Sequence, residues 1–316
     1  MNLQQLHIVR ETAKQGFNLT SVARSMAITQ PAVSRHIRDL EQELGVSLFS
    51  RHGKRLLGLT QVGQELLPIA NRMLDDVHNI RQLATIFTEK SDGLLRIASE
   101  NFIACHQLPH VIKQFRTSYA HVQITLQQGS ERELLQQLHD EQVDLLVTTT
   151  LLRDLEALEF IPCCQIPSKI LVRPDHPLLL LSQITLSQLA AFPLITYPPG
   201  THQRAQIEQQ FNEQGIEPNI LLSTHDADLI YHYVEQDLGV GIVPGVIMHS
   251  SQYNGLRILD ASHLFADEEI GVLFNKNLLL HGYVKNFIEL CRSELSRFLI
   301  TQTILSHHIS RSVFIE

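Results

Sequence analysis

Two helical signals separated by a tight break, then a basic hairpin, occupy residues 19–60, and this order is that of a winged helix-turn-helix. The first signal is Leu19-Thr20-Ser21-Val22-Ala23-Arg24-Ser25-Met26-Ala27. After Ile28 comes the second, Thr29-Gln30-Pro31-Ala32-Val33-Ser34-Arg35-His36-Ile37-Arg38-Asp39-Leu40-Glu41. Thr29 is a good N-cap, and Pro31 falls in the first turn, where a missing N–H costs little. Val33, Ile37 and Leu40 stand at i, i+4 and i+7 and make one buried stripe. The opposite face offers Gln30, Ser34, Arg35 and Arg38, residue types that bond phosphates and base edges. A helix anchored on one side and polar-basic on the other is what a major groove admits. Gly45-Val46-Ser47-Leu48-Phe49 then turns the chain, and Ser50-Arg51-His52-Gly53-Lys54-Arg55 reads as a basic hairpin tip, with Gly53 available for a positive φ. The predicted DNA-contacting set is Thr29, Gln30, Pro31, Ser34, Arg35, Arg38, Arg51, Lys54 and Arg55.

The charge distribution agrees. Residues 1–60 hold eight Lys/Arg and four Asp/Glu, a net of +4 on a chain of −8, so residues 61–316 carry −12. A basic end on an acidic body places nucleic-acid contact at the N-terminus alone.

From Gln61 to about residue 90 the pattern changes to a single long helix. Leu66, Ala70, Met73, Val77, Ile80, Ala84 and Phe87 are spaced 4, 3, 4, 3, 4, 3, a heptad seam that packs on a twin helix or on the same chain. A two-fold reader of DNA half-sites needs such a dimerising connector, so these seven residues are assigned to dimerisation. Thr60 is its N-cap. Pro68 sits about eight residues in, where its missing donor and its ring bend or kink a helix. The polar run Thr88-Glu89-Lys90-Ser91-Asp92-Gly93 marks a domain boundary.

After Gly93 apolar runs of strand length alternate with helical segments, the α/β pattern of open, mostly parallel sheets. Strands are expected at 94–98, 122–126, 143–148, 169–172, 194–197, 220–224, 241–243 and 269–274. Helices are expected at 109–119, 130–141, 185–191, 202–214, 226–236 and 282–298. Ligands of such sheets sit beyond the carboxyl ends of strands. The turns that follow strand ends supply the candidate effector residues: Ser99, Glu100, Asn101, Phe102, Thr149, Thr196, His202, Thr224 and Asp226. Thr149 and Asp226 are equally good as helix caps.

The remaining composition mainly excludes. No run of about 18 apolar residues appears, so no membrane partner is expected. The opening Met1-Asn2-Leu3-Gln4-Gln5-Leu6 lacks an apolar signal core, which points to the cytoplasm. Of four cysteines, adjacent Cys163-Cys164 cannot bridge without strain, and no pair has zinc-finger spacing, so reduced thiols are expected. A redox role for Cys105 would need exposure and a low pKa. His106 and His110 stand four apart but lack partner ligands at matching spacing, and no metal or cofactor is expected. No nucleophile elbow, Walker loop or dinucleotide fingerprint appears, and Gly239-Val240-Gly241 lacks its third glycine, so the chain does not read as an enzyme.

The run from Thr29 to Glu41, with Leu44-Gly45-Val46, Leu48-Phe49-Ser50-Arg51 and Leu59-Thr60-Gln61-Val62-Gly63, resembles the LysR-type bacterial transcriptional regulators. The likeness extends to about residue 300 and is strongest to the cysteine-regulon (CysB) subfamily. It is carried there by segments such as Leu108-Pro109-His110-Val111-Ile112, Gln128-Gly129-Ser130, Val172-Arg173-Pro174-Asp175-His176-Pro177 and Asp226-Ala227-Asp228. The resemblance implies a winged helix-turn-helix at 1–60, a linker helix at 61–90 and an effector domain at 91–300, followed by a C-terminal tail at 301–316. The effector domain would be two Rossmann-like lobes similar to periplasmic binding proteins, lobe I about 91–162 plus 268–300 and lobe II about 163–267, with an effector in the cleft. It further implies promoter DNA, a small-molecule effector, a second copy of the chain (dimer or tetramer) and RNA polymerase as partners, and genes of sulfur assimilation as targets.

The chain departs from the subfamily where hydroxyl and amide side chains help hold a small anion. Glu100, Phe102 and Ile103 stand in the first of those turns, and His202 in a later one, while Thr149 is kept. An acid and two apolar groups make a poor sulfate pocket and favour an amino-bearing, zwitterionic or more apolar effector, unless Glu100 pairs with Arg204 or His202. The reading from another class is a solute-binding protein or enzyme on the same two-lobed fold.

Overall fold

The computed structural model describes residues 1–53, 55–87, 93–149, 157–245 and 255–296. The chain divides into two compact units, residues 1–89 with 277–279, and the rest.

The first unit begins with α1 (Leu3–Lys14), α2 (Leu19–Ser25) and α3 (Gln30–Leu44). Each start has a side-chain cap. Asn2 and Gln5 form a reciprocal capping box on α1, Asn18 accepts from Thr20 and Ser21, and Thr29 accepts from Ala32. Gly45 ends α3 at φ +70°, the left-handed turn that glycine adopts without penalty. The antiparallel pair β1 (Phe49–His52) and β2 (Arg55–Leu59) forms the wing, with Gly53 at φ +62° in its tip. Ile8, Val22, Val33, Ile37, Leu40, Leu48 and Phe49 make the core, so the predicted stripe on α3 is its buried face.

The long helix α4 (Gln61–Phe87) runs through Pro68 as one element. Thr60 caps it, accepting from Gly63 N–H at 3.1 Å while its hydroxyl donates to the Ser47 carbonyl. The expected seam is divided. Ala70 is buried by Leu6 and Leu74, with Leu66 packed beside it, so this part faces α1 of the same chain. Met73 and Ile80 are exposed, and so are Val62, Ile69 and Leu83. The side chains of Ala84 and Phe87 lie outside the described residues.

The second unit carries two five-stranded sheets. In chain order its elements are β3 (Leu94–Ser99), α5 (Asn101–His106), α6 (Leu108–Ser118), β4 (Gln123–Gln128), α7 (Glu131–His139), β5 (Leu145–Thr148), β6 (Leu158–Ile166), β7 (Ser168–Val172) and a 3-10 turn at Pro177–Leu180. Then come α8 (Leu186–Ala190), β8 (Leu194–Thr196), α9 (His202–Glu213), β9 (Ile220–Ser223), α10 (Ala227–Glu235), β10 (Val240–Pro244), β11 (Arg257–Asp260) and β12 (Glu268–Asn275). A last helix, α11, covers 282–296.

The first sheet has the order β4-β3-β5-β12-β6 and the second β11-β7-β10-β8-β9. In each, one strand (β12 or β7) runs against the others. The sheets are therefore mostly parallel, and β3 and β5 lie side by side with their carboxyl ends together. Four elements differ from expectation. The turn after Ser99 continues as α5, and β6, β11 and the 3-10 turn at Pro177–Leu180 were not expected. Strand β6 contains Pro162, which its edge position and a bulge opposite Ile270/Gly271 accommodate. Because β6 belongs to the first sheet as far as Ile166, the second sheet begins at Ser168 rather than at 163, and Pro167 alone separates β6 from β7.

Candidate functional site

Two places in the molecule concentrate polar chemistry. The first is the outer face of α3 with the wing. Gln30, Pro31, Arg35 and Arg38 are exposed and Ser34 half-exposed, opposite Val33, Ile37 and Leu40, which are buried. Thr29 is exposed, but its hydroxyl is engaged as the α3 cap. Arg55 is exposed and Lys54 lies outside the described residues. Arg51 has a partner that the sequence did not reveal: its guanidinium meets Glu41 Oε2 at 2.6 Å. Glu41 Oε1 also accepts the Leu48 and Phe49 amides at 2.9 and 3.2 Å. One carboxylate thus ties the end of the recognition helix to the first strand of the wing.

The second place is a cavity of about 320 Å³ in the second unit. It lies where the strand ends would put a ligand, beyond the carboxyl ends of β3 and β4, at the starts of α7, α9 and α10. Glu100 and Asn101 after β3, Gln128 to Glu131 after β4, Tyr197, Thr201 and Gln203 after β8, and His225 and Asp226 after β9 line it. Glu100 Oε1 accepts Thr148 Oγ1–H at 2.6 Å, the Thr149 amide at 2.9 Å and Thr149 Oγ1–H at 3.3 Å. Its Oε2 has only long contacts, 3.4 Å to Thr149 Oγ1 and 3.5 Å to Gln203 Nε2. Gln203 Nε2 also donates to Thr149 Oγ1 at 2.8 Å and reaches Glu268 Oε2 at 3.4 Å. Two carboxyl groups therefore share one amide behind the cavity wall.

Burial pushes the Glu100 carboxyl upward, against the lowering effect of its bonds from Thr148 and Thr149. Burial and the nearby Glu100 charge push Glu268 up to about 8. Tyr197 is 4% exposed, and its hydroxyl has no hydrogen-bond partner among the described residues. Burial raises its pKa further above the ordinary phenol value.

The expected effector residues divide. Glu100, Asn101 and Asp226 line the cavity. Thr149 stands behind Glu100 as its donor, fully buried. Phe102 does not face the ligand space: it and Ile103 point into the core of the first sheet, which removes the argument for an apolar effector. Ser99 is buried and donates to the Val147 carbonyl, and Thr196 is likewise buried off the cavity wall. His202 bonds Gln206, and Thr224 accepts from the Asp226 amide, so neither lines the cavity. Glu100 does not pair with Arg204 or His202. Arg204 is taken by Glu208, Ser223 and the Tyr197 carbonyl. Missed altogether were Glu131 and Glu268. Tyr197, Thr201, Gln203 and His225 lay in turns already marked but had not been singled out.

Cysteine and histidine chemistry leads elsewhere. Cys105 is exposed, but partial burial of its thiol and the acids Asp228 and Asp226 raise its pKa, the opposite of a reactive thiolate. Burial pushes Cys163 and Cys164 up to about 12. His106 turns to Asp228 and His110 to Glu294, so the two do not converge. Among the described residues no group of three metal-ligating side chains gathers, and no helix is long and apolar enough to cross a membrane.

The comparison with known proteins matches this division. Residues 3–64 match the family described as bacterial regulatory helix-turn-helix protein, lysR family, and residues 88–296 match the LysR substrate binding domain. The chain is 42% identical over 296 residues to the HTH-type transcriptional regulator cbl of Klebsiella aerogenes, covering 94% of each. It is 36% identical over 304 residues to the HTH-type transcriptional regulator CysB of Burkholderia cenocepacia, covering 96% of this chain and 97% of the relative. Its structure is similar to the crystal structure of the cofactor-binding domain of the Cbl transcriptional regulator, at 33% identity and a TM-score of 0.62, covering 68% of this chain and 94% of that one. The capped helix, the wing and the two-sheet unit with its cavity are accordingly those of a DNA-binding transcriptional regulator rather than an enzyme, and the chain belongs to the LysR family.

Proposed function

We propose that this LysR-type regulator acts in the cytoplasm as a dimer or tetramer on promoters of sulfur-assimilation and cysteine-biosynthesis genes, gated by a small molecule in the cavity beyond β3 and β4. The observation that carries DNA reading is the face of α3. Its exposed Gln30, Arg35 and Arg38 stand opposite a fully buried stripe, so the polar face is free for a groove. Gln30, Ser34 and Arg35 choose sequence, while Arg38, Arg55 and Lys54 contact phosphate. Met73 and Ile80, with Ile69 and Leu83, are exposed apolar side chains of α4 available to a twin helix. The pathway rests on the likeness to the cysteine-regulon subfamily. Effector binding shifts the population between two arrangements of the lobes and so of the DNA-binding heads.

Footprinting on promoter fragments of the cysteine-biosynthesis genes of its own genome tests the reading. Protection that falls steeply with salt, and that Arg35→Ala weakens at least tenfold without loss of fold, is the expected result. Equal binding to unrelated DNA overturns the pathway. Unchanged footprints with Arg35→Ala overturn the assignment of α3.

A further inference from the structure

Glu100 is an acid in a place with no basic partner. Among the described residues that line the cavity there is no lysine or arginine and His225 is the one basic side chain, while Glu131 and Asp226 add further acid. The acceptor capacity of Glu100 is unevenly used. Oε1 takes three donors, at 2.6, 2.9 and 3.3 Å, and Oε2 takes none closer than 3.4 Å. A carboxylate with one saturated and one poorly bonded oxygen is a site awaiting a donor. The same wall holds the Tyr197 hydroxyl, buried and unpartnered. A buried phenol oxygen without a partner is costly, and a ligand group that bonds it removes that cost. Helices α7, α9 and α10 also begin at this cavity, and their first-turn N–H groups favour negative charge. Glu131 opens α7 and Asp226 caps α10, so those two starts already carry acid, and the start of α9, with no acid in its first turn, is the one left for a negative group.

We propose that the cavity takes a small zwitterion, its ammonium group on Glu100 Oε2 and Tyr197 Oη and its anionic group toward the start of α9. This deepens, and rests on, the proposed effector gating. An ammonium supplies three donors and one positive charge, which meets the open oxygen of Glu100 and the phenol together. Gln203 behind Glu100 keeps the carboxyl fixed and joins it to Glu268. An inorganic anion finds the helix starts but meets Glu100 with the wrong sign. An amine without an anionic end leaves the start of α9 unused.

The test is a thermal-shift and calorimetric titration of the full chain with L-serine, L-cysteine and O-acetyl-L-serine. Their N-acetyl counterparts (N-acetyl-L-serine and N-acetyl-L-cysteine), ethanolamine and sulfate are the controls. At least one free-amine zwitterion is expected to raise the melting temperature, and its N-acetyl form and sulfate are expected to bind at least tenfold more weakly. Glu100→Gln keeps an acceptor for Thr148 and Thr149 and so retains the fold, yet it should weaken that zwitterion at least tenfold. Tyr197→Phe should weaken it several-fold and leave sulfate unchanged. Tighter binding of sulfate or of the N-acetyl forms, a panel in which no zwitterion binds, or unchanged affinity in Glu100→Gln overturns the proposal. A parallel salt titration of DNA binding separates the two readings: intact salt-sensitive binding with a failed panel condemns the ligand class alone, whereas its loss condemns the regulator reading.

Discussion

Glu41 is the side chain whose removal tests most directly how the recognition helix is held to the wing. Its Oε1 accepts the amides of Leu48 and Phe49, which are buried, and its Oε2 holds Arg51. Glu41→Ala strands two backbone donors and frees the guanidinium. Hydrogen bonds to a charged group contribute about 1.5–3 kcal/mol each in favourable settings, and water reaching this half-buried turn offsets part of the loss, so about 2–4 kcal/mol is expected. Glu41→Gln keeps an amide oxygen for both donors and loses only the partly exposed ion pair, about 0–1 kcal/mol. Both variants remove the same negative charge near the DNA-facing surface, so their difference isolates the hydrogen bonds. Native-state hydrogen exchange of peptides spanning residues 41–60 in the full chain reads the local opening. At about 1.4 kcal/mol per tenfold, the Leu48 and Phe49 amides should exchange roughly 30- to 1000-fold faster in Glu41→Ala, and within about fivefold of wild type in Glu41→Gln. Equal protection in both variants, or wild-type protection in Glu41→Ala, would refute the view that this carboxylate anchors the wing.

Two further outcomes are expected. A Cβ on Gly63 would collide with the Leu48 carbonyl, so Gly63→Ala should destabilise the first unit by about 1–3 kcal/mol, seen as a lower melting temperature and weaker operator binding. Glu268 is raised to about 8 by burial and by Glu100, so the folded chain binds more protons than the unfolded one from about pH 4.5 upward. Its contribution to stability is therefore complete below that range, falls by up to about 1.4 kcal/mol per pH unit, and is exhausted above about pH 8. The Glu100 charge acts on Glu268 in the same direction as burial, while bonds from Gln203 and Thr149 act against it. Glu268→Gln should flatten this slope and raise the melting temperature at pH 8 while changing little at pH 5. A parallel pH profile in the variant would contradict the assignment.

What the sequence made legible follows from the range of its signals. Thr29, Pro31 and the Val33–Ile37–Leu40 spacing are local and periodic, and they set α3 before any tertiary contact is known. The alternation after Gly93 likewise marked most strands, because apolar runs report burial on both faces of a sheet. Strand β6 escaped notice because Pro162 interrupts its pattern, and only its edge position and bulge make that residue acceptable. Phe102 was misplaced because a turn that continues into α5 rotates it toward the core, whereas an open turn would have left it facing the cleft. Glu100 was marked by its strand end, but Glu268 was not. The two are 168 positions apart, and Gln203, which bonds both, lies on a third element. Such convergence is set by strand order, which periodicity does not encode. The divided face of α4 has a similar cause, since Leu6 on α1 covers Ala70, a relation no heptad count contains.

The single proline between β6 and β7 sets how the two sheets can move. Its ring holds its own φ near −65°, and it restricts Ile166 before it to extended backbone. The following residue is already in β7, and Gly245 donates to the Pro167 carbonyl. Such a joint has few soft torsions, so relative motion there is a small pivot about one axis rather than a slide. The other passage between the sheets, residues 261–267, ends at Glu268, the first residue of β12. The carboxyl that shares Gln203 with Glu100 therefore stands at the second crossing, so any pivot of one sheet on the other turns beside it.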